Sequence, residues 1–417
     1  MNPTDIIIGA GITGLAFARF ERNHPFRILE RSATMGGYAR TTLRNGFVWD
    51  YSGHFFHFQD NDIERMVSQH MRREDILTVK KVTHIKYKDR LVDFPFQKNI
   101  HQLPQEEFID CLYDLFTAPK EEYHSFQEML YCKFGRAISE KFLIPYNSKL
   151  YACDLNRLDK DAMGRFFPYA SPEEIVRNFR QSDNASYNVT FEYPKGGAIE
   201  YVKSLVHGLP AENILTRSGV AYINPHSHMV TLTDGTTMPY DRLISTIPFP
   251  FLMRMTGLPH NPDVFTWNKV LVFNLGFEKK GLNVADHWIY FPERQYPFYR
   301  VGFYDNILQG ERMSLYVELG FEKDEVVNAQ ALLPQVLESL KTAGILQEGN
   351  DLVDHEVILM NPAYVHINQQ SIAEVKRLKE TLASLDIYSI GRYGSWTYCS
   401  IEDNIKEARA LAAELNG

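Results

Sequence analysis

The first thirty residues alternate between apolar runs and a short glycine-rich turn. Residues 5–8 (DIII) form a continuous apolar run, which predicts a short buried strand. Residues 15–22 place apolar side chains at helical spacing, and residues 26–29 (FRIL) predict a second strand. The predicted order is therefore strand, glycine turn, helix, strand.

Beyond this unit, helix-like and strand-like patterns occupy separate stretches. Residues 82–96 alternate apolar and polar side chains, which predicts a β-hairpin. From residue 104 to about 179 the pattern is helical, beginning with a proline and two acids. The other predicted elements are a strand at 47–51, a helix at 198–207, short strands within 214–247, a β-rich stretch at 270–319, a helix near 325–342, a strand at 385–390 and a helix at about 402–415.

The glycine turn carries the chemistry of the first unit. Gly9, Gly11 and Gly14 follow the first strand as G-x-G-x-x-G, and Glu30 ends the second strand. Gly9 permits the tight turn, Gly11 lets the backbone approach a pyrophosphate, and Gly14 lets the helix pack on the strand. The helix N-terminus offers free N–H groups to phosphates, and Glu30 can accept hydrogen bonds from a ribose hydroxyl. The pattern predicts dinucleotide binding.

The residues after Glu30 favour FAD over NAD. The run ERSATMGGYAR places a glycine pair, including Gly37, and Arg40 shortly after the acid. This run resembles flavoproteins with two dinucleotide-binding domains, in which the glycine pair passes close to FAD. The resemblance implies an α/β fold with a Rossmann-like FAD domain, a helical insert and an antiparallel β-sheet substrate domain. We assign residues 1–80, 186–247 and 361–417 to the FAD domain, 81–103 and 248–360 to the β-sheet domain, and 104–185 to the helical substrate domain.

Composition and charge argue against a nucleic-acid-binding, membrane-spanning or disulfide-rich protein. The 417 residues carry a net charge of −8, which gives no basic footprint for nucleic acid. No apolar run is long enough for a membrane span, and the first strand leaves no room for a signal peptide. The four cysteines are far apart, and the histidines have no partners at metal-ligand spacing. We expect a cytoplasmic protein without a metal; the sequence does not indicate whether it forms a homo-oligomer.

Several aromatic runs also contain arginine or histidine, as the walls of ligand pockets do. Together with the flavin motifs they resemble one family, the UDP-galactopyranose mutases, across nearly the whole chain. The matching segments are GAGITGL, ERSATMGGYART, DYSGHFFHF, LVDFPFQKNI, FLIPYNSKLY, MGRFF, NVTFEYPKGG, WIYFPERQYPFYR and IYSIGRYGSWTY. The resemblance implies a mutase that interconverts pyranose and furanose forms of a nucleotide-diphosphate sugar such as UDP-galactose. It implies that N5 of reduced FAD is the nucleophile at the anomeric carbon, with NAD(P)H or another reductant keeping the flavin reduced.

The same resemblance implies roles for individual residues. The FAD would be held by Gly9, Gly11, Gly14, Glu30, Arg31, Gly37, Arg40, Gly53, Val220, Gly391, Arg392 and Asn404. Substrate contacts would come from Gln97, Asn147, Tyr151, Asn188, Tyr290, Tyr364 and Glu402. The catalytic group would be His54 beside the flavin ring, Arg165 and Arg300 on the diphosphate, and the hydroxyl donor Tyr398.

Four positions depart from the family pattern. Tyr151 stands where the family has Trp, Glu192 where it has Arg, and Glu402 where the eukaryotic type has Asn. Tyr364 is followed by Val-His-Ile instead of a proline-containing run. A carboxylate near a diphosphate is repulsive unless it is paired or turned away. These positions belong to the substrate half, so the nucleotide and the sugar stay open.

Simpler interpretations compete with these roles. Arg300 could form a structural ion pair, His54 could be a turn histidine, and Arg165 could be a surface helix residue. Two other functions also compete with the mutase. One is an oxidoreductase of the amine oxidase or protoporphyrinogen oxidase type, and the other is a non-catalytic FAD-binding partner.

Overall fold

The computed structural model describes residues 4–184 and 189–417. Its strands are β1 (Asp5–Ile8), β2 (Phe26–Leu29), β3 (Thr41–Arg44), β4 (Phe47–Asp50), β5 (Ile76–Lys80), β6 (Thr83–Tyr87), β7 (Arg90–Asp93), β8 (Thr190–Pro194), β9 (Ile214–Leu215), β10 (Val220–Asn224), β11 (Met229–Leu232), β12 (Thr237–Pro239), β13 (Arg242–Ser245), β14 (Asn268–Phe277), β15 (Trp288–Tyr290), β16 (Arg300–Phe303), β17 (Ser314–Glu322), β18 (Leu352–Met360) and β19 (Ile387–Ser389). Its α-helices are α1 (Ile12–Phe20), α2 (Asn61–Ser68), α3 (Gln105–Thr117), α4 (Phe126–Ile138), α5 (Ile144–Tyr151), α6 (Pro172–Asn178), α7 (Ile199–Val206), α8 (Phe249–Thr256), α9 (Tyr304–Ile307), α10 (Ala329–Thr342), α11 (Gln369–Ala383), α12 (Gly391–Gly394) and α13 (Ile401–Asn416).

A parallel sheet organises the N-terminal unit, with strand order β19-β13-β1-β2-β9. All four residues of β1 are buried, as expected for a central strand covered on both faces. Helices α1, α7 and α13 pack on one face. The three-stranded sheet β10-β11-β12 lies on the other face together with α8 and α11. This is the expected Rossmann-like fold, and it is confirmed.

A seven-stranded sheet forms the second unit, with strand order β18-β14-β17-β16-β15-β6-β7. Its neighbouring strands are antiparallel except for the parallel pair β15–β6. One face packs against α10, and the other belongs to the core that contains α3, α4 and α5. The antiparallel β-sheet domain and the helical insert are therefore both present.

Most of the predicted helices start or end close to the observed positions, but α2, α8 and α11 and the one-turn helices α9 and α12 were not predicted. The helix α11 lies in a stretch for which the sequence predicted no element, although its buried residues Ser371, Val375, Leu378 and Leu382 have helical spacing. The helix α8 packs on β10 and buries Phe249, Leu252 and Met253 in the core of the parallel-sheet unit. We therefore propose that the β-sheet domain resumes at residue 268 instead of 248.

Reciprocal side-chain caps fix where several helices begin. Such capping boxes start α4, α6, α11 and α13, and the one on α13 joins Ser400 to Asp403. None of the helices in the described part of the chain has the length and apolar character required to cross a membrane.

Candidate active site

One large cavity lies where the parallel sheet, the antiparallel sheet and the helical insert meet. Its volume is about 830 Å³, in the upper part of the range for small-molecule and cofactor sites. Of the predicted site residues, it is lined by Gly9, Gly11, Glu30, Arg31, Gly37, Arg40, Gly53, His54, Asn147, Val220, Tyr290, Arg300, Tyr364, Arg392, Tyr398, Glu402 and Asn404.

The glycine turn and Glu30 form one end of the cavity. Gly9 has a φ of +102°, which favours glycine, and Gly11 is the N-cap of α1 without a side-chain cap. The N-terminal N–H groups of α1 are therefore available to an anion. The Glu30 carboxylate accepts hydrogen bonds from the backbone N–H of Ala10 (3.0 Å) and of Ser32 (2.7 Å). These bonds hold a carboxylate at the place where a dinucleotide ribose would lie.

The glycine pair brings a second segment against the first turn. A Cβ built on Gly37 would lie 3.3 Å from the Cα of Gly11, so the two backbones nearly touch. Arg40 donates from Nε to the carbonyl of Met35, and its Nη2 lies 3.5 Å from Glu30. The side chain of Arg40 therefore braces the loop and partly neutralises the acid.

The C-terminal helix α13 closes this end through Asn404. Its Oδ1 accepts from the hydroxyl of Thr13 (2.9 Å) and from the backbone N–H of Arg392 (2.7 Å). Gly391 has a φ of +86°, and a Cβ there would lie 2.5 Å from the Thr13 hydroxyl oxygen. Residues that are almost 400 positions apart thus meet in one network. Gly391 and Gly14 lie outside the cavity lining and allow close packing behind it.

His54 lies on the cavity wall as a neutral imidazole. Its Nδ1 is 3.1 Å from the Ser52 carbonyl, so Nδ1–H donates and Nε2 keeps its lone pair. Burial lowers the pKa of His54 to about 4, and the positive charges of Arg392 and Arg300 act in the same direction. At the neighbouring Gly53, a built Cβ would lie 2.6 Å from the Tyr316 hydroxyl, so a side chain would displace that ring.

Stability should fall in mild acid because of a second buried histidine, His366. Its Nε2 donates to the Tyr151 carbonyl (2.9 Å), and burial lowers its pKa to about 4. The unfolded chain takes up this proton near pH 6.5 and the folded chain only near pH 4. The unfolding free energy therefore decreases as pH falls through this window, by on the order of 3 kcal/mol. Melting temperatures measured from neutral pH downward should show a shallower decrease for His366→Gln, whereas the exposed His226→Gln should match the wild type.

Arg300 lies in the wall as one half of a buried ion pair. It faces Glu318 across the β16–β17 ladder, and its Nη2 is 2.8 Å from Oε1 of that acid. The Nε of Arg300 donates to the other carboxylate oxygen at 2.5 Å, and the Ser52 hydroxyl also donates to Glu318. Neither Glu318 nor Ser52 belongs to the site residues predicted from the sequence. The signal for Glu318 was an acid at a buried position of an apolar strand, SLYVELGFE.

Arg392 is a buried cation among tyrosine rings. Its guanidinium carbon lies 4.6 Å from the ring centre of Tyr398 and 5.3 Å from that of Tyr364. Those two rings are stacked on each other, with centres 5.9 Å apart. Among the described residues no carboxylate pairs with Arg392; its Nη1 donates to the Cys399 carbonyl (3.4 Å), and its Nε has no hydrogen-bond acceptor. A buried cation without an acid partner suits an anionic ligand.

Arg392→Met should separate ligand binding from folding. Because no carboxylate loses its partner, we expect the melting temperature of the apoprotein to change little or to rise. The stabilisation gained on adding flavin or a nucleotide diphosphate should decrease, since the anion loses a charged donor. Differential scanning fluorimetry with and without each ligand measures both effects. A strongly destabilised apoprotein would indicate that Arg392 has a structural role instead.

Two polar side chains of the substrate half match the expected pocket. The Nδ2 of Asn147 donates to the Leu143 carbonyl (2.7 Å), while its buried Oδ1 receives no hydrogen bond from the described residues. Tyr290 lines the cavity and accepts from the Trp288 indole N–H (2.8 Å). The unpaired Asn147 oxygen is a candidate acceptor for a ligand N–H or O–H.

Other predicted substrate residues lie away from the cavity lining. Arg165 is half exposed and pairs with Asp403, with Nη2 2.8 Å from both carboxylate oxygens. Tyr151 is buried edge-on beneath Tyr364, with ring centres 5.8 Å apart. Gln97 is fully buried and donates to the Pro168 carbonyl. Asn188 lies outside the described residues.

The two unexpected acids are both turned to other partners. The Glu402 carboxylate accepts from the backbone N–H groups of Gln59 (2.9 Å) and Asp60 (2.5 Å), and Lys406 lies 3.4 Å away. Glu192 lies 3.5 Å from Arg73. Both charges are therefore held by the protein and do not oppose an anion directly.

Comparisons with known proteins agree with this geometry. A model of the NAD(P)-binding Rossmann-like domain matches residues 7–70. The crystal structure of reduced UDP-galactopyranose mutase superimposes with a TM-score of 0.91 at 25% identity, covering 100% of this chain and 96% of that one. A protein from Exiguobacterium that is provisionally named a protoporphyrinogen oxidase gives 0.79 at 17% identity, with 100% and 99% coverage. A fatty acid isomerase from P. acnes that produces CLA gives 0.66 at 11% identity, with 99% and 98% coverage.

The last two similarities show the fold alone. The similarity to reduced UDP-galactopyranose mutase confirms the expected resemblance to that family over the whole chain. The fold is that of a flavoenzyme, and the glycine turn with Glu30 supports a flavin dinucleotide as the cofactor.

Proposed function

We propose that this protein is a flavin-dependent mutase that interconverts pyranose and furanose forms of a nucleotide-diphosphate sugar, with UDP-galactose as the first substrate to test. One observation carries the proposal: the dinucleotide turn and a buried, tyrosine-lined arginine without an acid partner share a single cavity. The similarity to reduced UDP-galactopyranose mutase supports it.

The residues of this chain would bind and orient the substrate. The resemblance assigns Arg392 to FAD, but Arg392 and Arg300 line the same cavity, and both guanidinium groups would also meet the substrate diphosphate, whose negative charge grows as it leaves the anomeric carbon. The hydroxyls of Tyr364 and Tyr398, which line the same cavity, would donate to the same oxygens, and the free Asn147 Oδ1 would accept from the nucleotide or the sugar. When bound and reduced, the flavin supplies the nucleophile, its N5 atom.

His54 fits this chemistry as a neutral group. With Nδ1–H held by the Ser52 carbonyl, it presents the Nε2 lone pair as an acceptor and no proton at neutral pH. Such a group can accept a hydrogen bond from a reduced ring N–H without adding positive charge. We propose that NAD(P)H or another reductant keeps the flavin in the active state.

An oxidase of the amine or protoporphyrinogen type is the competing function. Neither kind of substrate carries a diphosphate, and an amine carries no anionic group, so Arg300 in the substrate half of the cavity supports a diphosphate substrate over an amine. Because Arg165 is exposed and paired, we propose Arg300 and Arg392 as the cations for the substrate phosphates, with Arg31 and Arg40 at the flavin end of the cavity.

The test is incubation of the photoreduced protein with UDP-, dTDP- and GDP-sugars, followed by chromatography for ring-contracted products. We expect a furanose product from at least one sugar, with no net electron transfer and no product from the oxidised protein. The matched control is Arg392→Met loaded with flavin, which should lose turnover. Oxygen consumption driven by an amine, with no ring contraction from any sugar, would overturn the proposal.

A further inference from the structure

A single lysine connects a helix that lines the cavity to the neighbouring segment 291–299. Lys149 lies on α5, and its half-buried ammonium donates to three carbonyls of the segment 291–298: those of Phe291 (2.7 Å), Glu293 (3.1 Å) and Phe298 (2.5 Å). An ammonium has three N–H donors, so all of them are used. No carboxylate pairs with Lys149 in the described part of the chain. The lysine is therefore a connector between backbones and not half of an ion pair.

The helix lines the cavity, and the segment lies between two strands whose end residues, Tyr290 and Arg300, line it. The helix α5 contributes Tyr146 and Asn147. The segment 291–299 joins β15, which ends at Tyr290, to β16, which begins at Arg300. Tyr146 and Tyr290 meet edge-on with ring centres 5.1 Å apart. A shift of this segment relative to α5 can therefore be transmitted to Tyr290 and Arg300, the two cavity residues at its ends.

The helix side of this connection is fixed independently of the lysine. A Cβ on Gly320 of β17 would lie 2.1 Å from the Lys149 carbonyl oxygen, so helix and strand backbones are in contact. The next two carbonyls of α5 accept from the side chains of Asn268 (2.5 Å) and His366 (2.9 Å). Because α5 is held to the sheet in this way, the part that Lys149 positions is the segment 291–299.

We propose that Lys149 is a positioning residue that sets the width of the substrate site by holding the segment 291–299 against α5. The inference rests on the proposed function, because it concerns the part of the cavity assigned to the nucleotide sugar. It assigns no contact between Lys149 and the substrate.

The protonation of Lys149 gives the inference a specific signature. Burial lowers the pKa of Lys149 to about 7, although the Glu293 carboxylate on the segment acts to raise it. The residue of β17 that contacts α5 here is Gly320, and the chain neighbours of Lys149 are Ser148 and Leu150; none of these three residues carries a charge. A neutral amine has only two N–H donors for three carbonyls, so one bond is lost on deprotonation.

The experiment compares Lys149→Met, Lys149→Arg and the exposed control Lys133→Met in the reduced flavoprotein. The readouts are flavin content, the Kd for UDP-galactose between about pH 6 and about pH 8.5, and hydrogen exchange of residues 291–299. For Lys149→Met we expect unchanged flavin content, faster exchange in 291–299 and a Kd raised roughly tenfold. For the wild type we expect the Kd to rise above neutral pH. Lys149→Arg stays charged and should bind with a pH-independent Kd close to the low-pH wild-type value.

Each outcome decides the inference. If Lys149→Met shows faster exchange but an unchanged Kd, the contact is structural only and the inference is overturned. Unchanged exchange in 291–299 would also overturn it. If Lys149→Met does not fold, the pH profiles of the wild type and Lys149→Arg decide, and identical profiles would overturn it. A wild-type protein that binds no nucleotide sugar while retaining flavin would overturn the proposed function and this inference with it.

Discussion

Gly11→Val should produce a folded protein that retains no flavin. Gly11 has extended backbone angles, φ −82° and ψ −177°, which any residue adopts. A Cβ built there meets only the Cα of Gly37, at an ordinary distance of 3.8 Å. A Cβ at this position therefore makes no clash within the chain. The valine methyls would instead occupy the N-terminus of α1, where the backbone must approach a pyrophosphate.

Gly14→Ala provides the contrast within the same motif. A Cβ at Gly14 would lie 2.1 Å from the Gly9 carbonyl oxygen, so α1 could not pack on β1 without a shift. We expect this variant to lose stability first and flavin as a consequence. Absorbance of the bound flavin and the cooperativity of thermal unfolding, measured for both variants, distinguish the two effects. Full flavin occupancy in a folded Gly11→Val protein would contradict the role given to the glycine turn.

The dinucleotide end of the site could be predicted because its information is local. The turn, the helix and Glu30 lie within thirty residues. At each of these positions either the backbone conformation or a hydrogen bond to the ligand determines which residue type can be used. The observed bonds from Ala10 and Ser32 to Glu30 connect neighbours of that same segment. The fold class followed from the resemblance that this segment carries, and the periodicities located the helical and β-rich stretches.

The substrate end was less predictable because its geometry depends on contacts between distant segments. Arg165 and Asp403 are 238 residues apart, and nothing in the local pattern of either indicates that they pair. The direction of the Glu402 side chain likewise depends on the backbone of residues 59 and 60. The α11 helix is a different case, because its apolar spacing was present in the sequence and was overlooked.

The role of Arg300 requires a test that separates binding from stability. In Arg300→Ala the Glu318 carboxylate, 1% exposed, would lose its cation. Breaking a buried pair from one side costs about 3–5 kcal/mol, so this variant would be destabilised whatever its function. A loss of activity in Arg300→Ala alone could therefore not distinguish a phosphate-binding arginine from a structural ion pair.

The double variant Arg300→Met/Glu318→Gln removes both charges together. The double variant should be more stable than Arg300→Ala and close to the wild type, because no uncompensated charge remains buried. A guanidinium has five N–H donors, and the contacts with Glu318 use only some of them, so Arg300 can also bind an anion. A hydrogen bond to a charged group contributes about 1.5–3 kcal/mol, so its loss should weaken nucleotide-sugar binding roughly ten- to hundredfold. Flavin content should stay at the wild-type level.

The measurement is the Kd of UDP-galactose for the reduced double variant, beside its melting temperature. Glu318→Gln alone is the matched control, since it keeps the shape of the pair and leaves Arg300 charged. We expect this control to bind at least as tightly as the wild type, because the guanidinium is released from a competing anion. The contrary result is a double variant that is stable, retains flavin and binds the nucleotide sugar with unchanged affinity. That result would show that Arg300 stabilises the β-sheet by pairing with Glu318 and does not bind the substrate.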